Sequence, residues 1–170
     1  IIPKSISYPS YSTYTGDIVV PSKVTYNNIE FDVVAVGDHA FSNCPSSLTS
    51  VQLPTSIKSI GFGAFSNSYG LKELTIPEGV TTIGAAAFHD SNFEKLYIPN
   101  SVTEFGSTMF NNSSYLKEVH LPEGLKFIPE STFSRCISLQ TVNIPSGITE
   151  IGNGAFMSTS SLSTINIPSG

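Results

Sequence analysis

From residue 48 onward, the apolar positions of the chain recur in a fixed order among polar ones. In LKELTIPEGVTTIGAAAF, residues 71–88, Leu71, Leu74 and Ile76 are followed by Pro77, then by Val80, Ile83 and Phe88. Nearly the same arrangement returns in LKEVHLPEGLKFIPESTF at 116–133 and in LQTVNIPSGITEIGNGAF at 139–156. Leu74 and Ile76 lie two apart, the spacing of one face of a strand, so both are expected to point inward while Thr75 points out. Pro77 has no N–H to give to a ladder and should end that strand. Val80 and Ile83 then turn inward on a return path, and Phe88 fills the far corner.

The proline of this pattern falls at Pro54, Pro77, Pro99, Pro122, Pro145 and Pro168, in steps of 22 or 23 residues. Phe65, Phe88, Phe110, Phe133 and Phe156 keep step with it. One such unit cannot bury its own apolar side, whereas stacked units share a continuous core. A period of 20 to 29 residues with Leu-x-x-Leu-x-Leu spacing predicts a leucine-rich-repeat solenoid. The expected fold class is an α/β-type but β-dominated, right-handed solenoid of about six and a half coils. A parallel β-sheet should line its concave face at about 4.8 Å per coil. Irregular segments with short helical turns should form the convex side, and the phenylalanines should stack as a column.

Residues 1–47 read as an N-terminal cap and an irregular first repeat. They contain SKVTYNNIEFDVVAVG, two alternating runs joined by Asn27-Asn28, which predicts an inserted β-hairpin. Residues 48–170 are repeats of 22–23 residues, the last truncated. Because the chain stops at INIPSG, just after a strand, the array is expected to continue in a longer protein. After the inward isoleucine or phenylalanine come Gly61, Gly84, Gly106 and Gly152, but Pro129 in one copy. Proline holds φ near −65°, so that position does not need a positive φ, and the glycines point to close packing or drift.

The motifs TIPEGVTTIGAAAF, YIPNSVTEFGSTMF, HLPEGLKFIPESTF and NIPSGITEIGNGAF resemble the BspA-type leucine-rich repeat. The resemblance spans residues 19–170. It implies a secreted or cell-surface bacterial binding and adhesion module, since the family is found mainly in surface proteins of anaerobic bacteria and in some protozoa. Classical leucine-rich repeats keep an Asn after the strand. Here Pro takes that turn, which supports the BspA branch.

Composition narrows the partners. Only 12% of residues are charged and the net charge is −5, with no Lys/Arg cluster to neutralise phosphates, so nucleic acid is not an expected partner. No run of about 20 apolar residues is present, so no membrane-spanning segment is expected. The opening IIPKSISYPS lacks the basic start and apolar core of a signal peptide. Cys44 and Cys136 occupy the same repeat position four coils apart, about 19 Å at the strand spacing, too far for a disulfide. Ser68, Ser91, Ser113 and Thr159 fill the same column, so small semi-buried thiols are expected there.

His39, His89 and His120 sit at different repeat positions without neighbours at metal-ligand spacing, so no metal or other cofactor is expected. GFGAF and GNGAF are not phosphate loops. Glu78 and Glu123 are copies of one turn position, and Glu104 and Glu150 copies of another, which suggests solvated surface rather than an acid/base pair. No enzyme is expected.

Two outward strand columns remain. Ser50, Glu73, Lys95, Glu118, Thr141 and Thr164 form one, with Glu73, Lys95 and Glu118 reading as a charge ladder. Gln52, Thr75, Tyr97, His120, Asn143 and Asn166 form the other. Both should line the concave face, where solenoids commonly take protein or glycan ligands. The columns are either that partner surface or an ordinary solvated sheet face. Likewise, Tyr8, Tyr11 and Tyr14 are either a contact patch or cap packing.

Overall fold

The computed structural model describes residues 14–165 and 167; Tyr8, Tyr11, Asn166 and Pro168 lie outside them. The first strand, β1 (Gly16–Val19), precedes the antiparallel pair β2 (Lys23–Tyr26) and β3 (Ile29–Asp32). Asn27 and Asn28 both adopt positive φ between them, as a two-residue hairpin turn requires. Next come β4 (Ala35–Val36), β5 (Leu48–Gln52), β6 (Ser59–Ile60), β7 (Thr82–Ile83), β8 (Lys95–Tyr97) and β9 (Glu104–Phe105). The series ends with β10 (Glu118–His120), β11 (Phe127–Ile128), β12 (Thr141–Asn143) and β13 (Glu150–Ile151).

These strands stack coil on coil in two parallel lines, with the hairpin β2–β3 outside both. One line holds the longer strands: β1 pairs with β5, and β8, β10 and β12 form a three-stranded sheet in register. The other holds the two-residue strands β4, β6, β7 and β9, and then β11 with β13. The chain is thus a β-solenoid whose Phe landmark occurs six times from Phe41 to Phe156, giving five complete turns. That is fewer than the six and a half coils expected, since residues 14–36 supply β1, the hairpin and β4 but no copy of the phenylalanine corner.

The inward positions behave as their spacing predicts. Leu74, Ile76, Val80, Ile83 and Phe88 are buried, and Thr75 is exposed. The phenylalanines stack nearly parallel from Phe41 to Phe156, with successive ring centroids 5.2 to 5.9 Å apart. Where the third repeat is one residue short, Phe93 takes the leucine column and meets the Phe88 ring edge-on at 5.7 Å.

Two expectations are corrected. The long-strand sheet is not continuous: residues 72–76 form no strand, so β5 and β8 are not joined through them. The short-strand line also breaks, between β9 and β11, at the one copy that carries Pro129. Gly84, Gly106 and Gly152 each donate an N–H to the preceding coil at this position, to Ile60, Ile83 and Ile128 respectively, and proline has none to give.

The second correction concerns the far side of each coil, where the expected helical turns are tandem β-turns. No residue among those described is helical. In one coil, Ala64 N–H donates to the Gly61 carbonyl and Ser66 N–H to that of Gly63. Gly63 itself has φ +57°, which stops an α-helix from propagating. Copies of Gly63 are His39, Ala86, Thr108, Ser131 and Gly154, all with positive φ. Four residues on, Asn43, Asn67, Asp90, Asn112, Arg135 and Ser158 repeat that conformation. The intervening N–H groups point to the next coil: Gly63, Phe65 and Asn67 donate to the carbonyls of Ala85, Ala87 and His89. A third ladder therefore runs up the turn side.

Glycine after the inward residue is there for close packing. None of the four has positive φ, and a methyl group on Gly106 would lie 2.2 Å from the backbone N of Ala85. Gly61, Gly84 and Gly152 are comparably close to the coil beneath. The small column is buried from Cys44 to Cys136 and part-buried at Thr159: Ser68 and Ser113 donate to the Phe41 and Phe88 carbonyls, and Cys136 Sγ lies 3.0 Å from that of Phe110. Cys44 and Cys136 are not joined to each other. Burial pushes the Cys136 thiol up to about 12, against a smaller opposing effect of a backbone hydrogen bond at Ser113.

Two outcomes follow. Gly106→Ala should cost about 1–3 kcal/mol in urea unfolding, as overpacking does. Gly124→Ala, which meets open space, should stay within about 0.5 kcal/mol of wild type. Iodoacetamide at pH 8 should leave Cys136 unmodified in the native protein and label it after unfolding, as read by peptide mass spectrometry.

Candidate functional site

The sheet β8–β10–β12 fixes the outward columns at their centre. Register on the central strand sets Glu118 between Lys95 and Thr141, and His120 between Tyr97 and Asn143. Between them, Leu96 and Val119 point into the core, so the outward side chains have a rigid floor. Glu118 accepts from Lys95 Nζ at 3.0 Å and from His120 Nε2 at 2.5 Å. The Tyr97 ring lies 6.0 Å from the imidazole, tilted by 39°, and is 49% exposed. Four expected site residues, Lys95, Tyr97, Glu118 and His120, are thus brought into one cluster.

The remaining expected residues have other surroundings. Asn143 is held by the coil below: its Oδ1 accepts from Leu121 N–H at 2.7 Å, and its Nδ2 donates to the Leu121 carbonyl. Both ends of that amide are engaged in stacking the coils. Glu73 and Thr75 belong to the segment that forms no strand, and face Ser50 and Gln52 across a shallow cleft of about 260 Å³. Asn166 is outside the described residues.

A neighbouring column was missed. Lys72, Glu94 and Lys117 each follow the inward Leu or Phe, and Lys117 bridges Glu94 at 2.7 Å. Lys72 Nζ sits 5.4 Å over the Tyr115 ring, a cation–π contact. The signal was present in the alternating charge Lys72-Glu94-Lys117 at the repeat period. At the first coil, Asp17 accepts from the hydroxyls of Thr49 and Ser50, which ties β1 to β5 on the same face.

Two carboxylates on this face, Glu118 and Glu94, are met by lysines. The hydrogen bond from Lys95, then that from His120, holds the Glu118 carboxyl below its ordinary range, opposed by partial burial. Lys117 does the same for Glu94. Both carboxyls therefore stabilise the fold above their unfolded values and lose that contribution as pH falls through the lowered folded ones. Among the described residues, no three His, Cys, Asp or Glu side chains gather to hold a metal ion. No helix among them is long and apolar enough to cross a membrane.

With this geometry in view, the comparisons are specific. Residues 34–163 match the BspA type Leucine rich repeat region in six copies, and the chain belongs to that family. A leucine-rich repeat protein of T. pallidum is similar at 26% identity and a TM-score of 0.73, over 87% of this chain and 78% of its own. A leucine-rich repeat protein from Bacteroides ovatus ATCC 8483 has 26% identity and a TM-score of 0.55, covering 81% of this chain. This chain spans 48% of that one. One from Eubacterium ventriosum ATCC 27560, at 22% identity and a TM-score of 0.52, shares the fold over 85% of this chain and 51% of its own. No curated protein is detectably similar.

An NMR pH titration should find Glu118 titrating below an ordinary glutamate, and Lys95→Met should raise its midpoint. An unchanged midpoint would remove the Lys95 pair from the account.

Proposed function

We propose that the chain is a noncatalytic binding module of a secreted or cell-surface bacterial protein, recognising a protein or glycan through its long-strand face. In this reading the solenoid is right-handed, that face is the concave one, and residues 1–47 are the N-terminal cap and an irregular first repeat with the hairpin inserted. One observation carries the reading: a half-exposed Tyr97 beside His120, Glu118 and Lys95 on a paired sheet. An aromatic ring next to groups that both donate and accept hydrogen bonds, on a floor that cannot move, suits a contact whose side chains lose little entropy on binding. The surface location rests on what the BspA-type resemblance implies.

A structural spacer within a longer surface protein is the second reading. It is favoured by Asn143, whose amide is spent on the coil below, and by Glu118, which already has two partners within the face. The test is to present the domain and its Tyr97→Ala/His120→Ala variant to protein and glycan arrays from host matrix and mucus. Binding lost in the variant supports recognition through this face. Binding that survives in the variant sinks it, and silence from both proteins favours the spacer.

A further inference from the structure

The hairpin β2–β3 is a two-stranded sheet of its own, and all eight of its residues are exposed. Its register opposes Val24 to Phe31 and Tyr26 to Ile29, and Lys23 to Asp32 and Thr25 to Glu30. Directly opposed residues share a face. One face is therefore wholly apolar, and the other carries every charge of the hairpin, with Lys23 bridging Glu30. Beyond the last pair, Val33 N–H donates to the Ser22 carbonyl, and Val33 packs on the solenoid core. The apolar face thus continues outward from the core, ending at Tyr26 and Ile29, which are 66% and 58% exposed. An isolated two-stranded hairpin is marginal in water, and a contiguous apolar face of this kind marks an interaction site.

The layout of the face selects its occupant. About the local dyad of the hairpin, Val24 corresponds to Ile29 and Tyr26 to Phe31, so aromatic and β-branched residues alternate as a two-by-two checkerboard. A second such face turned over the first sets rings against the smaller side chains, the large-against-small fit of packed sheets. Lys23, Glu30 and Asp32 stay on the solvent side, so no charge is trapped between the copies. We infer that this face is a self-association surface that takes the same face of a second copy of the chain, in a two-fold, isologous contact.

The area is small. Four side chains at these exposures remove on the order of 400 Å² per copy, below the roughly 800 Å² per partner of a standard interface. The dimer is therefore weak and concentration-dependent. Because it uses the hairpin and not the Tyr97 cluster, it stands or falls apart from the proposed ligand binding.

Sedimentation equilibrium on the 170-residue chain is the test. Its weight-average mass should rise at least about 1.3-fold between roughly 10 µM and 1 mM, the range for an interface this small. Tyr26→Ser/Phe31→Ser should abolish the rise while keeping the wild-type circular dichroism spectrum, since both side chains lie off the core. Thr25→Arg, on the polar face, should dimerise as wild type. A constant wild-type mass, a rise that survives the double substitution, or a loss in Thr25→Arg would each overturn the inference. So would dimerisation that occurs only after residues 1–13 are removed, which would give the face to the chain's own N-terminal segment.

Discussion

Each coil is set on the next by backbone hydrogen bonds along three separate lines, and that spacing constrains every side chain in the protein. Along the short-strand line, outside the paired strands, N–H groups of a later coil donate back to carbonyls of the earlier one, as Gly84 does to Ile60. Along the long-strand line bonds run both ways, Lys117 back to Glu94 and Ile98 forward to His120. Along the turn line the direction is forward, and Phe65 donates to Ala87. A coil so held keeps a fixed register with its neighbours. Whatever stands at a given repeat position must fit within one strand spacing of its own copies.

The recurring columns are consequences of that fit. Flat aromatic rings stack at 5.2 to 5.9 Å, close to the step, so phenylalanine fills the corner without gaps from Phe41 to Phe156. Glycine stands where backbone meets backbone, with Gly106 against Ala85. Serine, cysteine or threonine stands beside the phenylalanine carbonyls, small enough to be buried and able to donate. On the solvent side the same step puts Lys95 within reach of Glu118, and Glu94 within reach of Lys117.

Much of this could be read from the chain, because proline and phenylalanine keep one period and Asn27-Asn28 announces the hairpin turn. Pro129 alone was enough to show that the glycine column did not need positive φ. The tandem turns were harder to foresee. Their first positive-φ position holds His39, Gly63, Ala86, Thr108, Ser131 and Gly154, residues with no shared preference, so the conformation is imposed by stacking. The second, with Asn43, Asn67, Asp90 and Asn112, did carry a signal, since Asn and Asp tolerate that backbone. At the candidate site the sequence could align Lys95, Tyr97, Glu118 and His120 by register. It could not tell that Asn143 turns its amide onto Leu121, because an outward strand residue can face solvent or lie back along its own sheet.

Pro129 has a further consequence for how the array holds together. In a stacked repeat protein, cooperativity passes only between neighbours, so each junction sets how firmly one block of coils is coupled to the next. At this junction the short-strand ladder is absent, and the connection rests on the β8–β10–β12 sheet, the turn ladder and the phenylalanine stack. The coils from the one that carries Pro129 onward therefore form the block that can fray while the rest stays folded, and the solenoid carries a built-in point of mechanical compliance at the same junction that its Tyr97 and His120 cluster spans.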